Sequence, residues 1–320
     1  MINLIIWILK ISYRMIKYTR IQRLVLGLFS KPIEWTRSFS SEISINKIND
    51  IKTKGQNLSN HEERCKLASV YRLVDLKNWS WSIYNHITLR CNDHPEHFLI
   101  NPFGLFYSEI TASKLLKINS SCNILERGTT TYGLNKAGFT LHSTIHNART
   151  DINAVIHVHT GLAASLSTLK CGLLPISQEA LICGNVSYHD YEGILIDDAV
   201  RQNITNDLGP ENKIMILRNH GVVFCGNTIE EAWFYLMTFM TAADIQFHAL
   251  SAASGIKNLI IPPSDILDQV QKVVKNNLAN EQPLDGIQWK LGELEFEAEM
   301  RRLDLMGYET GYPYKKSLIN

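Results

Sequence analysis

No Cys-x-x-Cys pair occurs in this sequence. Its six cysteines (Cys65, Cys91, Cys122, Cys171, Cys183 and Cys225) are widely spaced. That pattern fits reduced thiols of an intracellular protein and argues against a disulfide framework. A glycine-rich nucleotide fingerprint is also missing, as is any internal repeat. Charge of one sign is missing overall: the formal net charge is +1, so nothing global calls for nucleic acid or an acidic partner. The apolar run Leu4–Leu9 is too short to span a bilayer, and basic residues then interrupt it at nearly every turn.

Acid is what the beginning of the chain lacks. Residues 1–30 hold five basic residues (Lys10, Arg14, Lys17, Arg20 and Arg23) and no acid; the first acidic residue is Glu34. An acid-poor, basic, amphipathic segment suits a mitochondrial transit peptide, a membrane-surface helix or an unstructured extension. We set residues 1–37 apart from the fold on that basis. Residues 38–60 are polar with no periodic apolar face and read as a linker.

What is present is enough apolar material for a large core. At 320 residues and 45% hydrophobic content, the chain suits one large domain or two smaller ones. From Glu62, the residues Cys65, Leu67, Ala68, Tyr71, Val74 and Leu76 recur at helical steps. The stretches 97–101, 113–119 and 153–159 read as strands, as do Ile214–Leu217 and Val222–Phe224 around a polar RNHG turn. Leu141, Ile145 and Ala148 mark a helix between them. Thr228 and Glu231 form a capping box for a further helix that Gly255 stops; its Trp, Met and Phe stripe reads as core. Strands interleaved with helices over 61–255 predict one α/β domain layered on both sides of a sheet. Residues 256–285 read as a second linker with modest helical content, and 286–320 as a short amphipathic helix with a Gly/Tyr-rich tail.

His157 and His159 raise the chemical question. On a strand, residues two apart face the same side, so the imidazoles in AVIHVHTG can grip one ion without bending the backbone. His220 stands where another apolar strand ends, before Gly221. Three histidines with an open fourth position make a catalytic-type zinc site. Spacing alone leaves open whether His220 joins the pair. His142 and His146, at i and i+4, lack the glutamate of a zinc-protease motif, since Ser143 stands in its place, and they read as structural. Glu179, opening a helix among apolar residues, is a candidate acid/base; the alternative is an ordinary first-turn glutamate favoured by the helix dipole.

The segments HVHT, RNHG and GLLPISQEAL, with NKAGFTLHSTIHNAR, YHDYEGIL and GELEFEAEMRRLDLMGYETGYPY, resemble the class II aldolase/adducin family and, within it, adducin head domains. The resemblance runs over about 61–316. It implies a three-layer α/β/α sandwich around a mostly antiparallel sheet, usually in a homo-oligomer. It places His157, His159 and His220 on the family's zinc ligands. It places Gly138 where family aldolases carry their acid/base glutamate, with Lys136 and Ala137 at the preceding serines. Remnants of the phosphate and substrate contacts fall on Asn85, Thr88, Gly104 and Lys136. Glu179 resembles the catalytic glutamate of a dehydratase branch.

The resemblance therefore implies a non-enzymatic head module of the membrane skeleton with a three-histidine remnant. It implies self-association or association with adducin-like chains, and contact with actin and spectrin. Membrane contact is expected only through the basic N-terminus. The alternative is a zinc-dependent lyase or dehydratase acting on a small sugar or ketose phosphate. The implied location is cytoplasmic, at the cytoskeleton or the inner face of the plasma membrane, or mitochondrial if residues 1–37 are a transit peptide.

Overall fold

Polar residues on an otherwise apolar sheet decide what this fold presents. The computed structural model describes residues 46–50, 58–193, 198–276 and 286–316. The extension at 1–37 lies outside them. Eight strands form one sheet: β1 (His86–Arg90), β2 (His97–Ile100), β3 (Leu116–Asn119), β4 (Ile124–Glu126), β5 (Ala154–Val158), β6 (Val186–His189), β7 (Ile214–Leu217) and β8 (Gly221–Gly226). Their order is β4-β3-β2-β1-β5-β8-β7-β6. Only the β6–β7 pair is parallel, so the sheet is mostly antiparallel, as expected.

Alternation along the central strands separates two apolar layers. On one face, Ile87, Ile156, Val158, Ile216, Val222 and Phe224 pack with helix α1 (His61–Leu76) and with α6 (Ile229–Ala253). On the other, Val155, Met215, Leu217, Val223 and Cys225 meet Leu141 and Ile145 of α2 (Lys136–Ala148) and Ile204 and Leu208 of α5 (Asp198–Leu208). Helices α3 (Gly161–Ser167) and α4 (Gln178–Cys183) join β5 to β6. The result is the three-layer α/β/α sandwich.

Local signals place most boundaries. Thr228 Oγ1 accepts the Glu231 amide at 3.1 Å, while the Glu231 carboxylate reaches the Asn227 amide at 2.6 Å, one residue before the cap. The stop of α6 is shared: Ser254 takes the left-handed conformation at φ 55° and Gly255 follows at φ 131°. The strand expected over 113–119 is shorter, because residues 112–114 form a 3₁₀ turn before β3.

Two stretches read as linkers are attached to the domain. Ile48 is fully buried, and its amide and carbonyl bond Tyr308 and Ala112. Asp50 accepts from both the amide and the hydroxyl of Ser113, at 2.8 and 2.7 Å. A short polar segment with one apolar residue shows no period, so its anchoring was invisible in sequence. Within 256–285, α7 (Ser264–Asn276) docks on α4, where Gln271 donates to the Leu181 carbonyl. The C-terminal helix α8 (Glu293–Leu305) buries Phe296, Met300 and Leu303 in the same core.

Candidate metal centre

The cross-strand register brings the histidines together. His157 lies in β5 directly opposite His86 of β1 and Val223 of β8. His159 follows the end of β5, and His220 lies in the β7–β8 turn. That turn depends on two residues for different reasons. Asn219 takes the left-handed conformation at φ 56°. Gly221 lies so close to β5 that a Cβ there would be 2.5 Å from the Val158 carbonyl oxygen. Any larger residue would push His220 away from the strand that carries its partners.

Ligand nitrogens of His157, His159 and His220 all lie within 4.8 Å of one another. The set expected from sequence is therefore assembled. His157 donates from Nδ1 to the Val222 carbonyl at 3.1 Å, which leaves Nε2 as the inward lone pair. Nε2 of His159 stands 2.6 Å from Nε2 of His157, so His159 carries the proton and donates it to the His157 lone pair. Trp81 stacks on His159 with ring centroids 5.6 Å apart. Burial and the neighbouring imidazoles hold His157 and His220 below the usual histidine range, and bring His159 to about 4. Neutral imidazoles are what a zinc ion needs, and the donor set fits that ion.

The cavity above them measures about 390 Å³ and is also lined by His86, Asn135, Ala137, Gly138, Leu141, Tyr191, Gly193 and Asn219. Among the described residues, no carboxylate, lysine or arginine lines it. Glu179 does not line it; it is half-buried in the first turn of α4. None of the four substrate-contact candidates lines it either. Asn85 is buried, accepting the Trp81 amide and donating to the His157 carbonyl. Thr88 is buried between two histidine rings, Gly104 packs under Tyr132, and Lys136 is exposed at the start of α2.

Sequence reading passed over His86. A Cβ on Gly138 would lie 2.3 Å from His86 Nε2, so this imidazole fills the space a side chain at 138 would enter. The signal was the period-two alternation of His86 and Thr88 ahead of the His142/His146 pair on α2. These four side chains share the face between sheet and helix. His142 and His146 are fully enclosed and hydrogen-bonded, in the structural role their sequence suggested.

A larger cleft of about 830 Å³ opens at the opposite end of the central strands, beside Arg149, Asp151, Lys213 and Glu231. Arg149 pairs there with Asp151 at 2.7 Å, and Lys213 with Asp151 at 3.3 Å.

A family described as Class II Aldolase and Adducin N-terminal domain matches residues 65–247. The chain belongs to this family. Alpha-adducin of Rattus norvegicus is 50% identical over 256 residues, which cover 79% of this chain and 34% of that protein. Beta-adducin of Homo sapiens is 41% identical over 286 residues, 85% of this chain and 38% of its own length. The chain thus spans little more than a third of the curated relatives it matches. A crystal structure of an aldolase II superfamily protein from Pseudomonas syringae aligns with TM-score 0.71 and 39% identity, over 79% of this chain and 97% of that one. An L-fuculose 1-phosphate aldolase from Glaciozyma antarctica PI12 aligns at TM-score 0.65 and 23% identity, over 78% and 91% of the two chains, and shares the fold. The domain described here is an adducin-like head.

Proposed function

We propose that this head is a non-enzymatic module of the membrane skeleton that works by associating with itself or with adducin-type chains. In this reading the three histidines are a retained metal-holding centre. The observation that carries it is the lining of the cavity, which among the described residues offers no carboxylate. Carbon–carbon cleavage or dehydration needs a group that takes a proton and returns it near the working pH. His86, the imidazole that fills the space beside Gly138, is brought by burial to about 3 and is too weak a base for that work. Bound zinc would supply Lewis acidity, and His157, His159 and His220 would hold it.

Identity of 40–50% to adducins supports association with adducin-type chains and a cytoskeletal, membrane-associated location with actin and spectrin as partners. No helix among the described residues is long and apolar enough to cross a membrane. The membrane contact in this reading is the basic, acid-poor N-terminal segment.

The test has two arms. Full-length protein expressed with added zinc should carry close to one equivalent, and His157→Ala should lose it. The protein should co-purify with an alpha-adducin head and co-sediment with spectrin–actin at micromolar concentration; failure of both sinks the skeletal reading. Turnover in a screen of sugar and ketose phosphates, abolished by Glu179→Gln, would replace it with the lyase or dehydratase alternative.

A further inference from the structure

Behind the three-histidine cavity runs a continuous hydrogen-bonded chain between β1 and α2. His146 Nδ1 lies 3.0 Å from the Ile152 carbonyl oxygen, and its Nε2 lies 2.8 Å from Thr88 Oγ1. Thr88 Oγ1 lies 2.7 Å from His142 Nδ1, and His142 Nε2 lies 2.9 Å from His86 Nδ1. All three imidazoles are buried, and among the described residues no carboxylate hydrogen-bonds any of them, so each is neutral with a single N–H.

The direction of every bond then follows from one fixed end. A carbonyl oxygen can only accept, so His146 carries its proton on Nδ1 and accepts on Nε2. Thr88 must donate to that nitrogen, and its oxygen accepts from His142 Nδ1–H. His142 Nε2 in turn accepts from His86 Nδ1–H. The last nitrogen, His86 Nε2, is left with a lone pair, and His86 lines the cavity. His157 opposite it is held in the same tautomer by the Val222 carbonyl.

The far wall supplies a donor. Asn135 Oδ1 is occupied by the Gly138 amide at 3.1 Å, which leaves its Nδ2 as the open end. A Cβ on Gly138 would lie 2.3 Å from His86 Nε2 and 3.0 Å from Asn135 Nδ2. An acceptor and a donor therefore flank one point of the wall. A hydroxyl satisfies both at once, whereas an unprotonated phosphate oxygen opposes the lone pair of His86.

We propose that His86 Nε2 and Asn135 Nδ2 form a hydroxyl-binding pair in the histidine cavity, with Thr88, His142 and His146 as positioning residues that lock the His86 tautomer. The pair deepens the retained site proposed above, but needs neither zinc nor an adducin partner. It is tested on the metal-free full chain labelled uniformly with ¹⁵N, reading the position of each ring proton from long-range ¹H–¹⁵N couplings.

His86, His142 and His146 should all be protonated on Nδ1. A proton on His86 Nε2 overturns the proposal. Thr88→Val removes the acceptor of His142 Nδ1–H and the donor to His146 while keeping the side-chain shape. With the backbone amide spectrum preserved, it should shift His142 and His86 toward the Nε2–H form; an unchanged His86 refutes the lock. If that variant does not fold, the wild-type tautomers still decide. Glycerol is the ligand probe, with inorganic phosphate as the control. His86 Nε2 and the Asn135 side-chain amide should shift with glycerol and stay unmoved by phosphate. No response to glycerol, or a response to phosphate alone, overturns the hydroxyl assignment.

Discussion

Gly138 and His86 form a coupled pair, and their coupling can be measured. A Cβ at 138 would meet the His86 ring at 2.3 Å and 2.4 Å, well inside any contact that real side chains make. An alanine in a helix otherwise gains up to about 1 kcal/mol over glycine. Here the overpacking, about 1–3 kcal/mol, outweighs that gain. Gly138→Ala should therefore lower the unfolding midpoint, whereas the same change made in a His86→Ala background should cost little or nothing relative to that background. An alanine at 138 that leaves the midpoint unchanged or raises it would mean that the ring moves aside freely. His157→Ala acts on different physics. It removes the inward ligand held by Val222, and the loss of bound zinc measured by metal analysis should be nearly complete.

At the scale of elements, the cap of α6 and the segment around Ile48 give the clearest expectations. Thr228 supplies the only side-chain oxygen that meets the Glu231 amide, so Thr228→Ala should cost about 1 kcal/mol in chemical denaturation. Ile48 is fully enclosed, and Ile48→Ala should cost about 2–5 kcal/mol; a cost below 0.5 kcal/mol would show that residues 46–50 are not held. These elements also mark how far the sequence could be read. Strands β7 and β8 are unbroken apolar runs between polar turns, β5 is apolar but for His157, and α6 carries its own cap and stop, so all four were legible. Strand β1 was not, because His86 and Thr88 give it a polar face that suggested a substrate loop. That face is buried only because α2 covers it with two more histidines, a fact that depends on contacts 54 to 58 residues apart. His157 and His159 were legible as a pair from their spacing, and only the family resemblance added His220. Their neighbour His86 was not legible, since nothing local says that residue 138 leaves room for it.

For the whole molecule, the enclosed imidazoles set the acid limit of stability. Burial brings His86 and His146 to about 3, His159 to about 4, and His142 lower than its ordinary value as well. In the unfolded chain each titrates near 6.5. Above that value neither state binds these protons, and the neutral cluster costs nothing further. As pH falls below 6.5 the unfolded chain takes up protons that the folded chain refuses, so stability falls with pH until the folded values are reached. The slope is about 1.4 kcal/mol per pH unit for each such histidine. His86 and His146 together should therefore cost roughly 4 kcal/mol at pH 5, a large share of the 5–15 kcal/mol typical of a folded domain. At that pH Asp151, held near 2 first by its Arg149 hydrogen bonds, is still ionised and contributes no slope. Thermal melts in chelator should show the midpoint falling steadily from pH 7 to pH 5. His146→Gln, neutral at every pH, should flatten the fall by about a fifth to a quarter, since His86, His142, His157 and His159 contribute similar shares. A midpoint constant over that range would mean that the cluster is hydrated or charged in the folded protein. Zinc sharpens the contrast, because an ion that binds only the folded state raises the midpoint at pH 7. It loses that hold as protons compete for the same nitrogens, so the gap between melts with and without zinc should close toward pH 5.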